Sequence, residues 1–506
     1  NVTIRMSLNR LICIEPIHEL VNLFDSVIIQ TTMVFSSQIF LFIFLPLCLF
    51  GAYFFRPDSR KYFLILASLF FFGWNGKKAL AIFAIFVVVN YGFGLLLGRT
   101  RSKESLTKKI SVWFVILTNA MFLLVFKYNS FITSSLTSLI GAEFPKPDLP
   151  IMLGISFFVF SAISYQYDIY YNKIAPQKNF TDFLLYMSFF PKLLQGPITR
   201  AGDFLAVPTT TWLDLDKLSR GVYRFTIGLA KKVVIADQLG LLVDQIFSNP
   251  ANANGVSIAW LGAIGYAMQI FFDFSGYTDM AIGLGQMFGF DLPENFNFPY
   301  LALNISDFWH RWHITLSSWF RDYVFYPLEF KRRKQKIFRT ESNTMIVFFL
   351  TGLWHGAGLQ FIVWGLWHGL FVSLEAFLRN KKVKTKAPAL IRYLVTMLIV
   401  LVGWVLFRSP GLRYGMQFLG VMFGLVKPIG TGLTLSRFIN EKVVFILLLA
   451  MLANFPWKKW LPQFFNRLLG SKFYDPIRVL IFFILLGISI MIVISSTYSS
   501  FIYFKF

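Results

Sequence analysis

Apolar residues run along this chain in long, nearly unbroken stretches, at residues 39–55, 61–74, 79–98, 110–126, 361–378, 390–407 and 477–495. A helix that crosses the hydrocarbon core of a bilayer needs about 20 mostly apolar residues, and by that length rule the whole sequence predicts about 10–13 membrane segments. Strands of a membrane barrel would alternate polar and apolar positions. These stretches do not, so helices are predicted. The middle, residues 151–326, reads differently, because Pro191, Gly196, Pro197, Asn295 and Pro299 interrupt its apolar runs. Irregular backbone at membrane depth persists only where protein or a water-filled cavity covers it, so this region is the expected wall of a funnel. No small-residue cleavage site comes after residues 39–55, which read as a retained span and not as a signal peptide.

Composition agrees with lipid as the main solvent: 56% of the 506 residues are hydrophobic and 14% are charged. The mean hydropathy of +0.61 is too high for a soluble domain. The formal charge of +23 does not point to nucleic acid, because the basic residues sit in short loops and are not interleaved with stacking aromatics. The densest loops, 99–109 (RTRSKESLTKK), 331–339 (KRRKQKIFR) and 379–386 (RNKKVKTK), mark the cytoplasmic side. Counting crossings from them puts the proline-rich stretch 141–150 outside, the loop around Lys458, Lys459, Lys472 and Arg478 inside, and residues 498–506 outside. Cys13 and Cys48 offer neither a disulfide framework nor a metal cluster. With no tandem repeat or separate soluble domain in view, residues 33–497 are expected to form one membrane domain, with an aromatic tail at 498–506. Residues 1–32 look unlike the rest of the chain, and Met33 is the expected natural start.

In so apolar a chain an ionisable side chain inside a span is costly, and it is a functional candidate by default. Of five histidines, one, His18, lies in the first 32 residues and four fall between residues 310 and 368. His355, in TGLWHGAG (351–358), ends an apolar run that comes after the basic loop 331–339, and the chain must return to the basic loop at 379. The two runs therefore form a hairpin. At about 1.5 Å per residue, His355 lies roughly 20 Å beyond the basic cluster, deep in the membrane. Gly352, Gly356 and Gly358 leave room for backbone or substrate to approach. The bland alternative is a histidine that packs helices together.

A second group spans residues 306–322 (SDFWHRWHITLSSWFRD). On a helix His310, His313 and Ser317 would share a face, and Asp307 would neutralise Arg311. An ordinary interfacial helix with snorkelling arginines fits the same residues. Asp273 and Asp279 read either as a proton path or, preferably, as structural partners of Arg or His. His368 reads as a supporting or packing group. No HExxH, GxSxG or phosphate-binding loop occurs, and no spacing makes a metal site. General-base chemistry by a neutral histidine is left, whose ordinary pKa of about 6.5 suits removal of a hydroxyl proton.

RWHITLS at 311–317 and LWHG at 353–356, preceded by FDFSGYTDMAIG at 272–283 and PENFNFPY at 293–300, resemble the membrane-bound O-acyltransferase family, most closely its alginate O-acetyltransferase branch. MVFSS at 33–37 and FFPKLLQGPITR at 189–200 resemble the same branch, so the resemblance runs from Met33 to the C-terminus. It implies an all-α polytopic membrane bundle of about 10–13 transmembrane or re-entrant helices around a central tunnel. His355 would be the catalytic histidine and His313 its companion. Asp273, Asp279, Trp354, Ser317, Arg311 and His310 are expected to support the site or line the tunnel. The implied donor is a cytoplasmic thioester, acetyl-CoA, with no bound cofactor and no metal.

SFIYFKF at 500–506 resembles the terminal aromatic motif of bacterial envelope acylation systems. Tyr503 would then accept the acetyl group and pass it to an extracytoplasmic acetyltransferase partner of the AlgJ, AlgX or PatB kind, and so indirectly to an exported polysaccharide. Otherwise Tyr503 is an aromatic-belt residue at the interface. The implied location is the inner membrane of a bacterium, multi-pass and surrounded by lipid. Two rivals stay open: DltB-like D-alanyl transfer to teichoic acid from a carrier-protein thioester, and a transporter or export channel whose Asp and His residues form a proton path.

Overall fold

The computed structural model describes residues 33–99, 106–141, 149–208, 214–248, 255–335, 337–383, 386–427, 434–470 and 473–496, and among them there are helices and no strands. The helices that build the site and its surroundings are α1 (Lys77–Arg99), α2 (Leu106–Ile140), α3 (Ile155–Tyr170), α4 (Leu215–Ala230), α5 (Val256–Met287), α6 (Ile305–Arg311), α7 (Ile314–Phe320), α8 (Arg339–His355), α9 (Leu359–Asn380), α10 (Ala389–Arg408) and α11 (Tyr474–Ser495). Among the described residues six of them, α1, α2, α5, α9, α10 and α11, are long and apolar enough to cross a membrane. Five correspond to apolar stretches legible in the sequence. Other segments are shorter, with 16 residues in α3 and in α4, 17 in α8 and 7 in each of α6 and α7. The chain is a multi-pass, all-helical membrane protein.

The central post is α5, whose apolar window is 67% buried against 11% for the peripheral α11. Glycines let α4 lie directly on it. A Cβ on Gly221 would come 2.6 Å from the Gly283 carbonyl oxygen, and one on Gly228 would come 2.5 Å from that of Gly276. Two helical turns separate the glycines on each helix, so both contacts fall on one line and the backbones touch along it. Past α4 a π-helical stretch, Lys231–Ala236, turns two consecutive lysines toward α5. Lys231 meets Asp279 at 2.7 Å, while Lys232 meets Asp273 at 2.7 Å and Asp237 at 2.6 Å. Arg224 on α4 completes the network, 2.7 Å from Asp279 and 2.5 Å from Glu294.

Helices α8 and α9 form the hairpin that the basic loops predict. Their arms cross at glycine: a Cβ on Gly352 would lie 2.5 Å from the Phe361 carbonyl oxygen, and one on Gly365 would collide with that of Phe348. The Phe361 ring covers Gly356, and Gln360 covers Gly358. Space at these glycines is thus taken by the hairpin's own second arm, not left for substrate. Buried apolar side chains gather in two groups. One holds Phe160, Leu316, Trp319 and Trp354, and the other holds Trp309, Trp312, Phe361, Trp364, Trp404 and Phe407.

Candidate active site

The segment 306–322 is not the single helix its spacing predicts. Helix α6 stops at Arg311, Trp312 is extended, and His313 takes the left-handed conformation with φ 44° before α7 begins. The reason lies in the tryptophans. Trp309 and Trp312 pack into one apolar group while Leu316 and Trp319 pack into the other, and a straight helix could not serve both. Glu375 on α9 anchors the start of α6, accepting from the N–H groups of Ile305 (2.7 Å) and Ser306 (2.9 Å) and from the Ser306 hydroxyl (2.6 Å). The break sends His310 and His313 to different surroundings: His310 is exposed, and His313 is 1% exposed at the seam between the groups.

Hydrogen bonding defines the state of His313. The Asn295 side-chain oxygen accepts from the Thr315 backbone N–H at 3.0 Å and the Thr315 hydroxyl at 3.0 Å, and it lies 3.1 Å from His313 Nδ1. An oxygen has no hydrogen to give, so Nδ1 carries the proton. Among the described residues Nε2 has no hydrogen-bond partner, so a neutral imidazole with a free lone pair fits the site. Ile198, in the segment 189–200, donates its N–H to the Thr315 hydroxyl at 3.1 Å and ties that segment to the same knot.

His355 ends α8, 4% exposed, in an aromatic box. Its ring centroid lies 4.5 Å from that of Trp354, 4.9 Å from Trp364 and 4.9 Å from Phe407. Trp354 also faces the His313 ring at 6.2 Å, so one indole touches both histidines. A cavity of about 300 Å³ reaches His355, lined also by Trp354, Lys127, Ser130, Phe157 and Gln195. A second cavity, of about 450 Å³, lies beside the basic stretches and is lined by His310, Ser317, Arg321, Thr340, Thr351 and Arg379. Thr351 and His355 stand on consecutive turns of α8, about 6 Å apart along its axis. Both cavities therefore border the end of α8, one at Thr351 and the other at Trp354 and His355.

Not every candidate gathers here. Asp273 and Asp279 lie in the α4–α5 ion-pair network, and neither lines the two cavities. Arg311 pairs with Asp307 at 2.8 Å, as its spacing predicts. His368 is fully buried against Phe308, Trp309 and Trp364, as a packing group would be. Tyr503 lies outside the described residues. Three residues were missed as site members: Asn295, seen only as a chain breaker, Gln195, and Lys127, which sits one residue past an apolar stretch read as ending at 126. A lysine inside a membrane helix was the available signal.

The arrangement is suited to moving a proton between a hydroxyl and a leaving group in a water-poor box, with the reactants brought from two sides. The family model described as "MBOAT, membrane-bound O-acyltransferase family" matches residues 171–412. The chain is similar to the "Probable alginate O-acetylase AlgI" of Azotobacter vinelandii, 40% identical over 77% of this chain and 78% of that protein. It is similar to the "Peptidoglycan O-acetyltransferase" of Helicobacter pylori, 32% identical over 94% of this chain and 98% of that protein. It is also similar to the "Teichoic acid D-alanyltransferase" of Bacillus subtilis, 29% identical over 68% of this chain and 88% of that protein.

Proposed function

The chain belongs to the membrane-bound O-acyltransferase family, and from that premise we propose that it carries acetyl from cytoplasmic acetyl-CoA toward an exported polysaccharide, with His355 as general base. One observation carries the reading: the cavity beside the basic loops and the cavity holding His355 end one helical turn apart on α8. Arg321 and Arg379, with the hydroxyls of Ser317, Thr340 and Thr351, suit a phosphorylated donor on the basic side. His355 takes the acceptor's hydroxyl proton as the oxygen attacks the thioester carbonyl carbon. The carbon–sulfur bond then breaks, and the thiolate leaves with the proton from His355. His313, its tautomer set by Asn295, helps to hold and polarise the reactants across Trp354.

The acceptor in this reading is Tyr503, whose ester delivers the acetyl group to an extracytoplasmic acetyltransferase partner at the bacterial inner membrane. Relatives named for alginate and peptidoglycan acetylation favour acetyl over D-alanyl as the group moved. The test is radiolabelled acetyl-CoA added to the full chain in lipid nanodiscs. Labelled protein is expected, with His355→Ala lowering transfer by about 10²–10⁴-fold and Tyr503→Phe removing the protein-bound label. No label from the wild type would reject acetyl-CoA as donor. Undiminished label on Tyr503→Phe would reject the tyrosine relay alone.

A further inference from the structure

The cavity that reaches His355 has an unusual polar lining. Helix α2 brings Lys127 to it, and the Lys127 ammonium donates to the Trp354 carbonyl oxygen at the end of α8, where a helix leaves its carbonyls without internal partners. The same ammonium lies 5.4 Å from the centre of the Trp354 ring. It has three hydrogens and that bond uses one. Among the described residues no carboxylate lines this cavity, and Lys127 is its one lysine or arginine. Two further donors in the lining, Gln195 Nε2 and Trp354 Nε1, are buried without an acceptor, in side chains 4% and 6% exposed.

Burying open donors in a cavity lined also by a cation is costly, and the cost is recovered when negative charge arrives. We propose that this cavity is the oxyanion site of acyl transfer, with Lys127 as its charged donor and the Gln195 amide and Trp354 indole N–H as its neutral ones. The proposal rests on the acyl-transfer reading above. When the acceptor oxygen bonds to the thioester carbon, the carbonyl π pair moves onto the carbonyl oxygen, and His355 holds the acceptor's proton in the same cavity. Lys127, Gln195 and Trp354 stabilise that oxygen. When its lone pair re-forms the carbonyl, the carbon–sulfur pair leaves on sulfur, which takes the proton from His355. A lysine that merely capped α8 would explain the bond to Trp354 but not the two donors left open in side chains of the same lining.

The test measures kcat and KM for acetyl thioester cleavage by the full chain in nanodiscs. Lys127→Gln keeps a donor for the Trp354 carbonyl but removes the charge. Its kcat is expected to fall about 10²–10³-fold with KM within about threefold. Lys127→Arg is expected to restore kcat to within about tenfold, because it keeps the charge. Gln195→Glu is expected to lose more than Gln195→Leu, since a carboxylate would repel the oxyanion. Near-normal kcat in Lys127→Gln would overturn the proposal. So would a rise in acceptor KM alone, which would mean ground-state recognition of an anionic acceptor, or equal losses in the Gln and Arg variants with lowered melting temperature, which would mean a structural cap. A wild type that cleaves no acetyl thioester would fell the function reading and this one together, whereas wild-type cleavage with an unaffected Lys127→Gln fells this one alone.

Discussion

Among the described residues, two of the groups of buried polar side chains are handled in opposite ways. Between α4 and α5 each charge meets a counter-charge: Lys232 sits between Asp237 and Asp273, and Asp279 between Arg224 and Lys231. Around α8 the balance is open, with His313 Nε2, Gln195 Nε2 and Trp354 Nε1 unpartnered and cavities arriving from two sides. A network in which each charge is matched holds helices at a fixed distance. An open one stores hydrogen-bonding capacity for a species that exists only during reaction.

That contrast can be broken by experiment. Lys232→Met removes the ammonium shared by two buried carboxylates, and about 3–5 kcal/mol of stability is expected to be lost, read as thermal unfolding in detergent. A folded Lys232→Met protein with abolished turnover would instead move this network into the catalytic set. Asn295→Leu takes away the acceptor that orients His313. Turnover is expected to fall about 10–100-fold with little change in melting temperature, and ¹⁵N spectra of labelled histidine are expected to show the Nδ1-protonated form depleted. Asp307→Asn breaks a pair whose partners are 30% exposed each. A change of about 0–1 kcal/mol and normal turnover are expected, so this pair belongs to neither buried set.

Much of the fold was legible because bilayer crossing imposes a length and a composition. The stretches at 79–98 and 390–407 became α1 and α10 with ends shifted by one or two residues. His355 was legible for a related reason, since a histidine far from the basic loops in an apolar hairpin is too costly to be incidental. The helix proposed through His313 failed because i, i+3 and i, i+4 spacing describes a straight helix, while packing Trp309 and Trp312 into one apolar group and Leu316 and Trp319 into the other required a break. Lys127 and Gln195 escaped notice because each sits among residues that look like ordinary lining until α2, the 189–200 segment and α8 are brought together.

The sequence by itself determined that the chain is helical and lipid-embedded, which loops are basic, and which motifs mark its family. These depend on properties of single segments: hydrophobic length, charge and local order of residues. Only the tertiary structure decided that Asp273 and Asp279 are neutralised by Lys232, Lys231 and Arg224, that His313 carries its proton on Nδ1, and that Lys127 and His355 line one cavity. Those outcomes depend on distances between residues far apart in the chain, and electrostatics and hydrogen bonding act through distance, not through order along the sequence.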